Sequence, residues 1–210
     1  MKFVLLVEGQ TESKVIPQFL KRWIEPKLSC TEKVRIEPIR FAGSGELLRD
    51  VAKRTRTILN DPRSGRDVIA VVSLLDFYGS TIQYPKGKDN IDDRCQWAKR
   101  DVEGRVDNER FRQFFAVHEL EAWLLSQPGI FPADIRTHLP KKVPETVNST
   151  EPPKALLNRL YRDHTGKNYK VTTDGPNLFS KLNPEEAYRK CPHLQEMLDE
   201  MLKLAQEAGL

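Results

Sequence analysis

The sequence predicts an α/β fold: a parallel β-sheet of about four strands flanked by helices, with a C-terminal helical appendage. Three observations predict it. Short apolar runs alternate with helix-period segments through the first 117 residues, the pattern of β-α-β units joined by right-handed crossovers. Two of those runs, KFVLLV at 2–7 and VIAVVSLL within 67–75, are continuous rather than alternating, as in strands buried on both faces of a parallel sheet. Beyond residue 126 the chain becomes proline-rich and loses any strand pattern. The chain therefore divides into an α/β domain over 1–126 and a helical extension over 127–210 packed on it.

Each element is argued from its residues. The first strand is 2–7. Gly9-Gln10 turns the chain, and Thr11 is the candidate N-cap of a helix over 12–28, with Val15, Ile16, Phe19, Leu20 and Trp23 at helical spacing. Pro17 lies in its first turns and moves the predicted start later. Residues 33–41 alternate charged and apolar and contain Pro38, which suits a strand near an edge. Gly43-Ser44-Gly45 breaks the chain. A helix then runs from Ser44 or Gly45 to Leu59 on Leu47, Leu48, Val51 and Ile58.

NDPRSGR at 60–66 is a loop, and 67–75 is the third and most apolar strand. A long polar loop, DFYGSTIQYPKGKDNIDD, covers 76–93, followed by a charged helix over 94–107 and a fourth strand at 111–117. HELEAWLLS at 118–126 reads as helix. In the C-terminal part, short helices are predicted near 132–139, 152–164 and 184–190. A last amphipathic helix spans 192–208 on Leu194, Met197, Leu198, Met201, Leu202 and Ala205.

Composition bounds the function. At 210 residues the chain is one large domain or a domain with a subdomain, large enough to bury a core without staples. No apolar run approaches the roughly 20 residues a membrane helix needs. The apolar start is too short for a signal segment, so a cytoplasmic protein with no membrane contact is expected. Cys30, Cys95 and Cys191 are odd in number, far apart and without a C-x-x-C spacing, which argues against a disulfide framework or a zinc site. The formal net charge of +4 is compatible with a polyanionic partner without requiring one. Oligomeric state is not legible.

The chemistry concentrates in carboxylates. In open parallel sheets ligands bind at the carboxyl ends of the strands. The first strand ends at Glu8, the third at Asp76, and the fourth leads into Glu119 and Glu121. A single acid after a strand is more often a turn residue; several on one edge repel one another unless a cation neutralises them. Mg²⁺ or Mn²⁺ is the natural occupant of an all-oxygen site. Such a site activates water toward a phosphodiester, with Glu8 alternatively serving as general base. The first turn, G-Q-T-E, matches no phosphate-binding glycine motif. Glu119 and Glu121 share a face in a strand but stand about 200° apart on a helix, where only one faces the sheet edge. His118, at the junction, is a candidate acid, base or ligand. Trp123, Leu124 and Leu125 read as core.

Taken together, LLVEGQTE, LLDFYG and HELEAWLL, in this order, resemble the DUF4276 family, which is similar to the Toprim domains of topoisomerases, primases and the overcoming-lysogenisation-defect nucleases. The resemblance implies a Toprim-like sheet, Mg²⁺-dependent cleavage of nucleic acid, and a place beside an ABC-type ATPase in phage defence. It sets Glu8 on the Toprim glutamate and Asp76 on the first aspartate of the D-x-D pair. The second aspartate is replaced by Tyr78, so a further ligand would come from Glu119, Glu121, Asp92 or Asp93.

Lys86 and Lys88 in the long loop, and Lys154 in PPKALLNRLYRDH, are the candidate substrate contacts. The expected function is therefore a metal-dependent nuclease acting on DNA or RNA, with Glu8, Asp76 and Glu121 as metal ligands and Glu119 and His118 assisting. The alternative is a non-catalytic Toprim-like scaffold or regulatory partner of an ATPase.

Overall fold

The computed structural model describes residues 1–29, 33–85, 90–146 and 151–210. Its four strands are β1 (Lys2–Val7), β2 (Arg35–Arg40), β3 (Val68–Asp76) and β4 (Phe111–Ala116). They form one all-parallel sheet in the order β2-β1-β3-β4. The two continuously apolar runs, β1 and β3, take the central places. All six residues of β1 and all of β3 except Asp76 are buried. The alternating run, β2, takes an edge. There Pro38 stands opposite Leu5, where its missing N–H removes the fewest ladder bonds. In register, Val7 faces Arg40 on one side and Leu74 on the other, and Asp76 faces Ala116. The carboxyl ends of β1, β3 and β4 therefore share one rim.

Three crossover helices join the strands: α1 (Gln10–Ile24), α2 (Ser44–Leu59) and α3 (Ile91–Val106). The strand order makes the chain step one way from β1 to β2 and the other way from β2 to β3. With right-handed crossovers this sends α1 to one face and α2 and α3 to the other. Two apolar clusters record the two faces. Phe3, Leu5, Val72, Leu74 and Phe114 pack with α1, and Val4, Leu6, Val71, Phe111 and Phe115 pack with α2 and α3.

The topology supplies only α1 for the first face. The remaining helices fill it: α4 (Glu121–Leu124), α5 (Ala133–Arg136), α6 (Pro153–Thr165), α7 (Asp174–Lys181), α8 (Pro184–Lys190) and α9 (Pro192–Glu207). α9 lies against β3 and β4, while α7 and α8 pack beside α1. Leu194, Met197, Leu198 and Met201 join the same cluster as the strand residues.

Several boundaries differ from the sequence reading. α1 begins at Gln10 with Gly9 as N-cap, so Thr11 lies inside the helix, buried, with its hydroxyl 3.4 Å from the carbonyl of Val171. The helix runs through Pro17 because Val15, Ile16, Phe19 and Leu20 on either side are buried. α3 starts at Ile91, earlier than predicted, because Asn90 caps it by accepting from the N–H of Asp93 at 2.7 Å. The stretch 118–126 is helical only over Glu121–Leu124. α7 was not foreseen: DGPNLFSK carries Gly and Pro in its first turn, where Pro is tolerated but signals a break to a sequence reader. Cys95 and Cys191 are buried free thiols, and Cys30 lies outside the described residues. Among the described residues no helix is long and apolar enough to cross a membrane.

Candidate active site

The rim at the carboxyl ends of β1, β3 and β4 is organised by carboxylates that grip the backbone of the next element. Glu8 Oε1 accepts from the backbone N–H of Asp76 at 3.0 Å. Asp76 Oδ1 accepts from the N–H of Leu120 at 3.0 Å. Glu119 Oε2 accepts from the N–H of Lys154 at 2.8 Å. That last bond caps α6: Pro152 is its N-cap and Pro153 its first residue, so the first free N–H is the one Glu119 takes. A relay of acid-to-amide contacts thus runs from β1 through β3 and the post-β4 segment to α6.

One cation stands among these acids. Lys154 Nζ is 2.6 Å from Asp76 Oδ2, 3.8 Å from Glu119 Oε1 and 3.7 Å from Glu121 Oε2. Both Glu119 and Glu121 reach it. The sequence reading allowed only one of them to do so in a helix; because α4 starts at Glu121, Glu119 lies in the irregular segment before it and keeps its own direction. The chain enters this segment through a cis Val117–His118 peptide.

Burial and mutual charge set the protonation. Burial, then the charge of Asp76, push Glu8 up to about 7, partly offset by the hydrogen bond from Asp76. Burial pushes Glu121 up to about 8 against the attraction of Lys154. Burial likewise raises Glu119 and Glu12. For Lys154 burial acts downward, yet Asp76, Glu121 and Glu119 outweigh it and hold the ammonium well above its ordinary range. The buried Glu121 Oε2 has no hydrogen-bond partner, and neither does the buried hydroxyl of Tyr169. The two groups are close enough for the carboxylate to raise the tyrosine further after burial has done so, but they are not aligned as a hydrogen bond.

The family model for DUF4276, a domain of unknown function, matches residues 7–202. The chain belongs to the DUF4276 family. No curated protein and no solved structure matches it. The DUF4276 match takes in every residue of the acidic rim, from Glu8 to Lys154, and all of β2, β3, β4 and the helices through α8.

Within this DUF4276 chain the rim gathers Glu8, Asp76, Glu119, Glu121 and Lys154. His118 is buried, and it is held below the ordinary histidine range by burial and by His193 at the start of α9, not by the carboxylates. Asp92 and Asp93 begin α3, the first bonded to the His193 ring at 3.1 Å and the second to Asn90. Tyr78, two residues after Asp76, has a half-exposed side chain, and its N–H donates to the carbonyl of His118 at 2.8 Å. Lys86 and Lys88 lie outside the described residues. Among the described residues no three acidic, histidine or cysteine side chains are arranged to hold a metal ion.

Two members of the site were not assigned to it from the sequence. Glu12 follows Gly9 by three residues, and its carboxylate folds back over the glycine. A Cβ on Gly9 would lie 2.3 Å from Glu12 Oε2. The glycine after Glu8 thus leaves room for a second acid near the rim, and Asp76 and Lys154 both act on it. The G-x-x-E spacing, a helix-start pattern, was the available signal. Tyr169 comes from the segment before α7, and no local pattern in the sequence marks it.

Proposed function

We propose that the chain is a metal-dependent nuclease with a Toprim-like centre. The observation that carries this reading is the convergence of Glu8, Asp76, Glu119 and Glu121 at the carboxyl ends of three adjacent strands. The step direction of the chain reverses between β1 and β3. Open α/β sheets bind ligands in the crevice at that point, and Glu8 and Asp76 stand on its two sides. A cluster of buried acids is unfavourable for folding, so its presence at the ligand-binding rim supports a functional role.

The donors fit a hard divalent cation in kind: they are all carboxylate oxygens, and Glu121 Oε2 is buried without a hydrogen bond. Their present spacing serves the Lys154 ammonium. Mg²⁺ or Mn²⁺, when bound, would polarise a phosphoryl oxygen and lower the pKa of water. Glu8, Asp76 and Glu121 would hold it. Glu8 has one oxygen tied to the Asp76 amide; its second oxygen serves either as the ligand or, in the alternative role, as general base toward the attacking water. Lys154, freed from Asp76, would face the non-bridging phosphate oxygens. Glu119 keeps the start of α6, and hence Lys154, in position. By its resemblance, the reading extends to a cytoplasmic phage-defence protein working with an ABC-type ATPase on DNA or RNA.

Glu8→Gln and Asp76→Asn each keep the oxygen that accepts from the neighbouring amide. Both variants are therefore expected to fold, shown by circular dichroism, and to lose Mg²⁺-dependent cleavage of DNA or RNA. Cleavage at the native rate by either variant refutes the assignment. A second reading is favoured by the Lys154–Asp76 ion pair: a non-catalytic scaffold in which the lysine replaces the metal. Titration with Mn²⁺, followed by electron paramagnetic resonance, separates the two, since the scaffold binds none at millimolar concentration.

A further inference from the structure

We infer that the outer flank formed by β2 and α2 binds the phosphate backbone of a nucleic acid and leads it to the acidic rim. The inference rests on the nuclease reading for its choice of polyanion. The charge itself is independent of that reading. Nine basic and five acidic side chains between residues 33 and 67 leave +4, the formal net charge of the whole chain. The rest of the molecule is neutral on balance.

Arg40, Lys53, Arg54 and Arg56 are exposed, and none of them forms an ion pair in the described structure, unlike Arg35 and Arg49. On α2, Arg49, Lys53 and Arg56 stand at i, i+4 and i+7, one outward stripe of the helix. Arg40, Lys53 and Arg54 line an open cleft of about 350 Å³ between β2 and α2. The cleft also holds two acids, and both are already engaged. Asp50 accepts from the Arg49 guanidinium at 3.0 and 3.2 Å, and Glu46 accepts from the N–H of Ala42. The positive charge is therefore the part left over for a partner.

Position connects this flank to the rim. Arg40 is in register with Val7, and the next residue, Phe41, donates its N–H to the carbonyl of Val7 at 2.9 Å. Glu8 comes directly after. An acidic rim repels a phosphodiester chain. A basic track arriving at its border supplies the attraction the rim lacks, and steers a polyanion toward it. The flank is not built for a lipid surface. Among the described residues the exposed large apolar ones are Met1, Tyr78 and Val143; none is on α2, and only Met1, whose carbonyl accepts from the N–H of Arg35, borders β2, whereas membrane-lying helices insert several such residues.

Binding of a fluorescein-labelled oligonucleotide, single-stranded and duplex, is measured by anisotropy in EDTA, over a range of salt. Lys53→Glu with Arg54→Glu is expected to weaken binding about tenfold at ~0.1 M salt and to flatten the log–log salt slope by about 2. The milder pair Lys53→Gln with Arg54→Gln, which guards against misfolding, is expected to flatten it equally. Lys203→Glu on the far end of α9 is expected to change neither. Equal affinity and slope for the native and flank variants overturn the inference. So does binding to phosphatidylserine vesicles but not to oligonucleotides. Cleavage that survives the flank substitutions sinks this inference and leaves the nuclease reading standing; flank-dependent binding without metal-dependent cleavage does the reverse.

Discussion

Lys154 shows how one side chain resolves an otherwise unfavourable cluster. Three carboxylates lie within 4.0 Å of its ammonium, and its own backbone N–H is capped by Glu119. Removing the charge alone, with Lys154→Met, leaves the cap in place and the acids uncompensated. The expected result is a loss of about 2 kcal/mol in urea unfolding without metal, and a larger gain on adding Mg²⁺ than the native chain shows. A variant as stable as the native chain, with unchanged response to Mg²⁺, would show that the lysine does not stand in for a cation. Glu8, Asp76 and Lys154 were all visible as single residues in the sequence. The sequence did not show that Lys154 sits among the acids instead of contacting substrate from outside, because that depends on where α6 docks.

Two elements depend on single residues. The N-terminus of α9 begins at Pro192, and the buried Glu145 carboxylate accepts from the N–H groups of His193 and Leu194 at 2.8 and 3.3 Å. Glu145→Ala leaves those donors without their acceptor at the positive end of the helix. It is expected to cost about 1 kcal/mol, read by thermal unfolding. The turn before β3 depends on Gly65. A Cβ there would fall 2.4 Å from the carbonyl oxygen of Leu59, a backbone atom that cannot swing aside. Gly65→Ala is expected to destabilise by about 1–3 kcal/mol, and a neutral substitution would mean the end of α2 can yield. The four strands and α1, α2 and α9 were legible because each carries its own apolar pattern. α7 was not, since its helix starts with Gly and Pro and is held by packing against α1.

At the scale of the molecule, several buried acids titrate together. Glu8 and Glu145 are pushed to about 7 and Glu121 to about 8, each chiefly by burial. A folded-state pKa above the unfolded value means the native state binds more protons than the unfolded chain between the two values. Stability from these groups is then complete below about 4.5 and declines as pH rises through about 7 to 8. His118, held down by burial, acts in the opposite sense near its ordinary value, but it is one group against five, since burial raises Glu12 and Glu119 as well. The acids held low, Asp50, Asp61, Glu151 and Glu186, act below this window. The melting temperature without metal is expected to fall from pH 5 to pH 8. A rising profile would mean the rim is already charged and compensated.

Local sequence was enough to specify the parallel α/β sheet, the buried character of β1 and β3, the edge place of β2, and the placement of an acid at the end of β1 and of β3. Those features are written in short-range periodicity and in the residue that closes each apolar run. Docking in three dimensions decided which helices close the face that α1 leaves open, that Glu119 and Glu121 both reach the rim, and that Lys154 and Glu12 join it. Such contacts join segments far apart in number, as Thr11 and Val171, 160 residues apart. Long-range packing has no signature in the short-range pattern of a single chain.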